Sequence, residues 1–189
     1  MCPVDGGLLL FDADTHGKRL GFHGDLLIQE HLEGIPGGMA GAEHKVAAGQ
    51  GDKRIDIAIR GLSGGHSGAE IHCGRANANK LMGRLLLELS KKREFNIVSI
   101  EGGSKDNAIP REAKAVIAIK EIFAVKDIAD IFNEIKEEFG KDDKGATFNA
   151  NTINNKNIRE MLDKSTTEKI IFFASTVGNG VFEMNENVK

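Results

Sequence analysis

Residues 55–60 read IDIAIR, and this short stretch decides the fold. Isoleucine occupies every second position, which is the pattern of a β-strand with one buried face. A glycine-rich loop follows at residues 61–74, and residues 76–92 then place their apolar side chains three and four positions apart. That spacing predicts an amphipathic α-helix. The regular part of the chain therefore starts as a strand that leads through a loop into a helix.

The segments that follow extend this beginning into a complete small domain. Alternating residues predict strands at 95–100 and 113–119, helical spacing predicts a second helix at 125–139, and residues 146–149 could form a fourth strand. Strand, helix, strand, strand, helix, strand is the order of a ferredoxin-like βαββαβ sandwich. We therefore expect the α+β class, with an antiparallel sheet that carries its helices on one face.

The remainder of the chain divides around this unit. We expect residues 52–150 to form the central domain, between an irregular, glycine-rich extension at 1–51 and a partial continuation at 151–189. The smaller elements predicted outside the core are short strands at 8–11 and 26–28, a linker or turn at 149–157, and short helices at 158–162 and 168–174.

Composition excludes several classes of function. The 25 Lys and Arg residues nearly balance the 28 Asp and Glu residues, and the chain has no Trp or Tyr, so neither a basic patch nor a base-stacking platform for nucleic acid is expected. No apolar run approaches the roughly 20 residues that a membrane span needs. Cys2 and Cys73 alone make no disulfide framework. We expect a soluble, cytoplasmic protein.

Two polar loops could carry chemistry. Residues 61–72, GLSGGHSGAEIH, surround His66 with glycines that let backbone amides approach a ligand, and residues 102–112, GGSKDNAIPRE, place Asn107 in a bend before a strand. An imidazole in such a loop can donate to an oxyanion or a carboxylate. A tight connection with a solvent-facing histidine remains the alternative. The first loop has Ala69 where a nucleophile elbow needs glycine, and it has no phosphate-loop lysine.

Together these loops resemble a known family. The stretches GLSGGHSGAEIH at 61–72, NANKL at 77–81 and NAIPREA at 107–113 resemble the lid, or dimerisation, domain of the aminoacylase-like zinc metallopeptidases. Within that family they look most like the aminoacyl-histidine (Xaa-His) dipeptidases, including bacterial carnosinases. The clear match covers about residues 53–140, and residues 179–189 look like a further piece of the same family.

The resemblance implies a role for each site residue. His66 would be the catalytic residue of this part, reaching into an active site, commonly that of the partner subunit, to stabilise the oxyanion or bind substrate. Asn107, Gly65 and Ser67 would contact the substrate, a dipeptide such as β-alanyl-histidine. The implied partners are a second copy, in a homodimer, or a catalytic domain, of which residues 1–51 would be a remnant.

The resemblance also bears on the metal. In the family a separate catalytic domain holds two zinc ions, and the late histidine ligand has no counterpart here because no histidine follows His72. Residues 25–34 loosely resemble the segment that leads into the lid, with His31 near the place of an aspartate ligand. We therefore expect no tightly bound zinc, no metal-ligating residues in this chain, and no peptide hydrolysis by this chain alone. It looks like a fragment or a decayed copy that ends partway through the lid.

Two other functions stay open at this point. Residues 8–15, LLLFDADT, resemble the strand and acidic loop of haloacid-dehalogenase-type phosphatases, with Asp12 as nucleophile, Asp14 as acid and base, and Asp142 and Asp143 as a late acidic pair. Thr15, however, comes one residue early for that motif. The second alternative is a non-catalytic dimerisation module, because edge strands of a small antiparallel sheet can pair across a two-fold axis.

Overall fold

The structure, a computed structural model, describes residues 45–49, 51–120, 124–139, 141–153 and 160–180. The predicted strands at 8–11 and 26–28, together with Asp12, Asp14 and His31, lie outside these ranges. The elements of the described part, in chain order, are β1 Lys45–Ala47, β2 Lys53–Arg60, β3 Gly65–His66, α1 Ala78–Lys92, β4 Phe95–Gly102, β5 Ala108–Ile109, β6 Ala113–Ile119, α2 Ala124–Lys136, β7 Thr147–Ile153, β8 Glu160–Leu162 and α3 Lys164–Thr176.

A four-stranded sheet in the order β4-β6-β2-β7 forms the centre of the molecule. Each neighbouring pair is antiparallel, and β2 lies between β6 and β7 with Ile55 opposite Ile117 on one side and Thr152 on the other. The elements β2, α1, β4, β6, α2 and β7 follow one another in the predicted order. The expected α+β class with an antiparallel sheet is confirmed.

The core lies where the alternating face of β2 meets the helices. Ile57 and Ile59 are 0% exposed, whereas Asp56 between them is only half-buried. Leu85 and Leu86 of α1, also 0% exposed, belong to the same cluster. Burying a side chain of this size stabilises the fold by about 1.5–3 kcal/mol. This shared core fixes the position of β2 relative to α1, and therefore fixes both ends of the loop between them.

Helix α1 begins at a defined cap. The side-chain oxygen of Asn77 accepts hydrogen bonds from the backbone N–H groups of Asn79, at 2.9 Å, and Lys80, at 3.3 Å. Such a cap satisfies donors that have no partner inside the helix and contributes about 1 kcal/mol. The first turn of α1, which directly follows the glycine-rich loop, is thus held in place.

Two predictions for the residues after 146 are wrong. Residues 149–153, predicted as part of a linker or turn, belong to the edge strand β7, because pairing with β2 and contact of Phe148 and Ala150 with the core outweigh the low strand preference of asparagine. Residues 160–162, predicted as helical, form strand β8, which pairs antiparallel with β1. The helix predicted at 168–174 is confirmed and spans Lys164–Thr176.

Helix α3 is docked on the domain by polar contacts at both ends. Its cap, Asp163, accepts from the N–H of Thr166 at 2.7 Å, and the Thr167 hydroxyl accepts from the N–H of Ile97 in the edge strand β4 at 3.1 Å. The Nζ of Lys80 in α1 donates to the carbonyls of Ser175 and Val177 at the other end. None of the helices in the described part is long and apolar enough to cross a membrane.

An ion pair connects α1 to the residues that follow α2. Both terminal nitrogens of Arg84 donate to the carboxylate of Glu138 at 2.9 Å, with the two side chains 39% and 58% exposed. These hydrogen bonds hold the pKa of Glu138 below its usual value. Glu138 lies shortly before the 3₁₀ turn Lys141–Asp143 in the sequence.

We expect the stabilising effect of Arg84 on Glu138 to be pH-dependent. Because the folded-state pKa of Glu138 lies below the unfolded value of about 4.3, this stability is present at neutral pH and is lost as the pH falls through the folded pKa. Glu138→Gln should therefore melt at a lower temperature than the parent at pH 7, and this gap in melting temperature should shrink as the pH falls through the folded pKa of Glu138. A gap that stays the same at every acidic pH where the protein remains folded would show that the carboxylate charge is not the cause.

Candidate functional site

The two polar loops meet in a small ribbon outside the main sheet. Strand β3 pairs antiparallel with β5, so that Gly65 lies opposite Ile109 and His66 opposite Ala108. Immediately beyond the ribbon, the N–H of Ser67 donates to the carbonyl oxygen of Asn107 at 2.9 Å. The structure thus brings together the backbones that carry His66 and Asn107, although 40 intervening residues separate them in the sequence.

The imidazole of His66 is exposed and has a defined orientation. Its Nδ1 accepts from the N–H groups of Gly68, at 3.0 Å, and Ala69, at 3.1 Å. A nitrogen that accepts carries no proton, so the neutral ring bears its proton on Nε2. Within the described residues no protein group bonds Nε2. The ring can therefore donate one hydrogen bond to a ligand outside the domain.

Glu70 and Arg75 hold the loop from beneath. One carboxylate oxygen of Glu70 accepts from the backbone N–H of His66 at 2.9 Å, and the other accepts from Arg75 at 3.0 Å. The same Arg75 nitrogen donates to the carbonyl of Gly64 at 2.7 Å. The hydrogen bond from His66 and then the charge of Arg75 lower the pKa of Glu70. Glu70 is therefore an ionised acceptor at neutral pH.

Asp143 closes the two ends of the loop. This aspartate is 2% exposed, and its two carboxylate oxygens accept from the N–H of Ser63, at 2.9 Å, and the N–H of Ala76, at 2.7 Å. Its neighbour Asp142 lies 3.4 Å from the Nε of Arg75. A carboxylate used in this way acts as a backbone clamp. Because both of its oxygens already accept backbone N–H groups, Asp143 does not favour the phosphatase alternative, in which Asp142 and Asp143 would be a late acidic pair.

Two glycines in the loop leave room for arginine side chains. Gly64 has φ of +65° and Gly65 has φ of +144°, conformations that residues with a Cβ rarely adopt. A Cβ on Gly64 would lie 2.3 Å from Cγ of Arg111, and one on Gly65 would lie 2.6 Å from a terminal nitrogen of Arg75. The backbone conformations at both positions therefore favour glycine, and at Gly64 a Cβ would also displace the side chain of Arg111.

The second loop is held by the start of α1. The carbonyl of Pro110 accepts from the N–H of Ala78 at 3.0 Å. Gly102 lies so close to Asn79 that a Cβ there would be 1.9 Å from the side-chain oxygen of that asparagine. Asn107 itself is exposed at the tip of this loop. Both ligand-facing candidates are thus presented by segments anchored to the same end of α1.

The other predicted site residues, Ser67 and Gly65, make backbone hydrogen bonds within the two loops. The N–H of Ser67 donates to the carbonyl of Asn107 while the Ser67 side chain is exposed, and Gly65 is part of the β3–β5 pairing. The clamp of Asp143 and the contribution of Arg75 were not predicted. The only sequence signal for either was the Asp142–Asp143 pair, and it suggested a different chemistry.

The described residues do not fit a metal centre. No group of three or more His, Cys, Asp and Glu side chains converges anywhere in the part of the chain that the structure covers. The carboxylates of Glu70 and Asp143 already accept backbone N–H groups. The arrangement suits hydrogen-bond donation by His66 and does not provide a zinc ligand set.

Comparison with known proteins gives the class. Residues 57–147 match the family model of the peptidase dimerisation domain, a range that contains β4, β6, the second half of β2, α1, α2 and both polar loops. The resemblance to the lid of the zinc dipeptidases is confirmed. Within residues 57–147, the chain is therefore similar to a peptidase dimerisation domain.

Two relatives make this more specific. The chain is 31% identical over 123 residues to the cytosol non-specific dipeptidase of Escherichia coli strain K12, a match that covers 64% of this chain and 25% of that protein. It superimposes with a TM-score of 0.69, at 31% identity, on the crystal structure of the aminoacylhistidine dipeptidase from Vibrio alginolyticus, covering 77% of this chain and 30% of the other. The chain thus spans less than a third of either relative.

Proposed function

We propose that this chain is the lid and dimerisation part of a zinc-dependent Xaa-His dipeptidase, a cytoplasmic enzyme that hydrolyses short dipeptides such as β-alanyl-histidine. The observation that carries the proposal is the ribbon of β3 and β5, where His66 is exposed with Nδ1 occupied and Nε2 available as a donor. The likeness to two dipeptidases supports the substrate class, and the word cytosol in one of their names supports the compartment.

His66 acts on the substrate as a neutral donor. When a peptide carbonyl is attacked, negative charge develops on its oxygen, and a donor already fixed in direction stabilises that charge without reorganising. The Nε2–H of His66 fits this task because two backbone N–H groups fix the ring through Nδ1. Asn107 at the neighbouring tip, with Gly65 and the hydroxyl of Ser67, contributes polar contacts to the same substrate.

Zinc belongs to the catalytic domain in this proposal. A zinc ion held there would supply Lewis-acid activation of the scissile carbonyl and of the attacking water. The acids near His66 are committed to backbone N–H groups, which supports a lid that binds substrate and leaves the metal to another domain. We accordingly expect the isolated chain to hold less than one tight zinc and not to cleave β-alanyl-histidine by itself.

The partner is a second copy or a catalytic domain. Strand β7 lies at the edge of the main sheet, and its residues Asn149 and Asn151 are exposed. An edge strand has backbone groups ready to pair with another strand, and antiparallel pairing of two β7 strands satisfies a two-fold axis. The match to a dimerisation domain supports association with a second copy or a catalytic domain, and it is equally compatible with a purely non-catalytic dimerisation module.

The proposal is tested by rescue in trans. The partner would be an E. coli dipeptidase variant in which alanine replaces the residue aligned with His66. Mixing it with this chain should form hybrid dimers and raise β-alanyl-histidine turnover, because His66 then reaches the partner's active site. His66→Ala should reduce the rescued rate by about 10²–10³-fold, the usual effect of removing one oxyanion donor.

His72→Ala is the matched control, because His72 is an exposed histidine in the same loop region. It should rescue as well as the parent chain. Hybrid formation, followed by sedimentation velocity, without any rescue would favour the non-catalytic module. A failure to associate with the relative or with itself would argue against the dimer surface.

A further inference from the structure

We infer that Glu70 is a positioning residue for His66: it fixes the backbone of His66 so that the ring keeps Nε2 directed at the ligand. The catalytic consequence rests on the proposed function, whereas the positioning itself can be measured without any activity. The family resemblance includes Glu70 without giving it a role, whereas its hydrogen bonds connect it directly to His66.

The side chain of Glu70 is hydrogen-bonded directly to the backbone of His66, and no other side chain in the described loop makes such a bond. Strands β3 and β5 are two residues long, so the ribbon alone supplies few backbone hydrogen bonds. Glu70 adds one directly at His66, where its carboxylate accepts the backbone N–H at 2.9 Å. The backbone N–H of Glu70 in turn donates to the carbonyl of His66 at 3.0 Å. Residue 66 is thus held on both its backbone groups by residue 70.

The second oxygen of Glu70 extends this hold to the start of the ribbon. It accepts from Arg75, which also donates to the carbonyl of Gly64. One carboxylate therefore connects the residue before the ribbon, through Arg75, with the histidine at its end. The missing Cβ of Gly65 matters here, since a Cβ would lie 3.0 Å from the carboxylate oxygen that binds His66.

The ring depends on the same backbone. Its Nδ1 accepts from Gly68 and Ala69, which lie between His66 and Glu70 in the turn that the carboxylate closes. If the turn opens, these two N–H groups leave Nδ1 together. The ring then exchanges tautomers and rotates in solvent. Glu70 is not a member of the buried core cluster, so this change need not unfold the domain.

The test uses the full chain and its Glu70→Ala variant, observed by ¹⁵N NMR. In the parent, the His66 ring should show a single neutral form with the proton on Nε2, and the amides of Gly68 and Ala69 should be protected from hydrogen exchange. In Glu70→Ala, exchange at those amides should rise by about tenfold or more while amides in the middle of α1 keep their rates. The His66 ring signals should move toward a mixture of tautomers.

Two further variants sharpen the interpretation. Glu70→Gln keeps the shape and one acceptor oxygen, so it should hold either His66 or Arg75 and give an intermediate rise in exchange. Glu134→Ala removes an exposed glutamate from α2 and should leave the His66 signals unchanged. The inference is overturned if Glu70→Ala leaves the loop amides and ring signals as in the parent, or if α1 loses protection as much as the loop does.

The rescue assay separates this inference from the proposed function. If positioning and function both hold, Glu70→Ala should associate like the parent and lose about tenfold or more in rescued turnover. If the parent chain gives no rescue while the NMR changes occur as expected, the proposed function fails and the positioning stands. Full rescued turnover by Glu70→Ala, despite altered ring signals, would show that the positioning has no catalytic role and would overturn that part.

Discussion

The Asp143→Ala variant should lose about 2–5 kcal/mol of unfolding free energy, because it leaves the N–H groups of Ser63 and Ala76 without their acceptor and each such loss costs about 1–3 kcal/mol. The aspartate is 2% exposed, so water does not readily replace the lost oxygens. Urea unfolding followed by circular dichroism measures the change. Because the two N–H groups lie at opposite ends of the loop, the signals of His66 should also broaden or move.

Asp142→Ala is the matched control. Asp142 is the adjacent aspartate, its side chain is 55% exposed, and it contributes an ion pair to Arg75 at 3.4 Å. An exposed pair of this kind is worth at most about 1 kcal/mol. Asp143→Asn, which keeps one acceptor oxygen, should lie between the two. Equal losses for Asp142→Ala and Asp143→Ala would contradict the assignment of Asp143 as the clamp.

The sequence was a good guide to the central sheet, for a physical reason. Ile55, Ile57 and Ile59 alternate with more polar residues, and a period of two fits only a strand with one buried face. The edge strand β7 lacked such a signal. Its asparagines favour turns, and only the pairing with β2, far away in the sequence, makes residues 149–153 a strand. In β7, pairing with a distant strand therefore outweighs the local preference of asparagine for turns.

The sequence indicated candidate site residues, but it did not indicate the contacts that hold them in place. His66 and Asn107 stand in two motifs that could be recognised together, but the pairing of β3 with β5 follows from contacts that no spacing expresses. Asp143 illustrates the limit most clearly. It bonds Ser63 and Ala76 across 80 and 67 positions. An aspartate next to another aspartate gives no sign that one is buried beneath a loop.

Replacing Gly83 by valine should destabilise the protein by about 2–4 kcal/mol, since helices α1 and α3 meet at this glycine without space for a side chain. A Cβ built there would lie 2.5 Å from the carbonyl carbon of Ala174 and 2.6 Å from its oxygen. Those are backbone atoms, which cannot rotate away, so α3 as a whole must move. Thermal unfolding gives the loss, and faster hydrogen exchange along α3 gives its location.

Ser90→Val places the same β-branched residue on an exposed position of the same helix, so it measures the effect of helix propensity without the clash. A loss in Gly83→Val no larger than in Ser90→Val would contradict the close approach. Gly83→Ala should lose less free energy of unfolding than Gly83→Val, because alanine adds only the Cβ and favours a helix by about 1 kcal/mol over glycine. Adding Ala174→Gly removes the Cβ that lies 2.7 Å from the new methyl but leaves the backbone carbonyl in place. The two substitutions should therefore offset each other in part, without restoring the free energy of unfolding of the parent. Complete restoration would show that side chains, rather than the backbone of α3, set the distance between the helices.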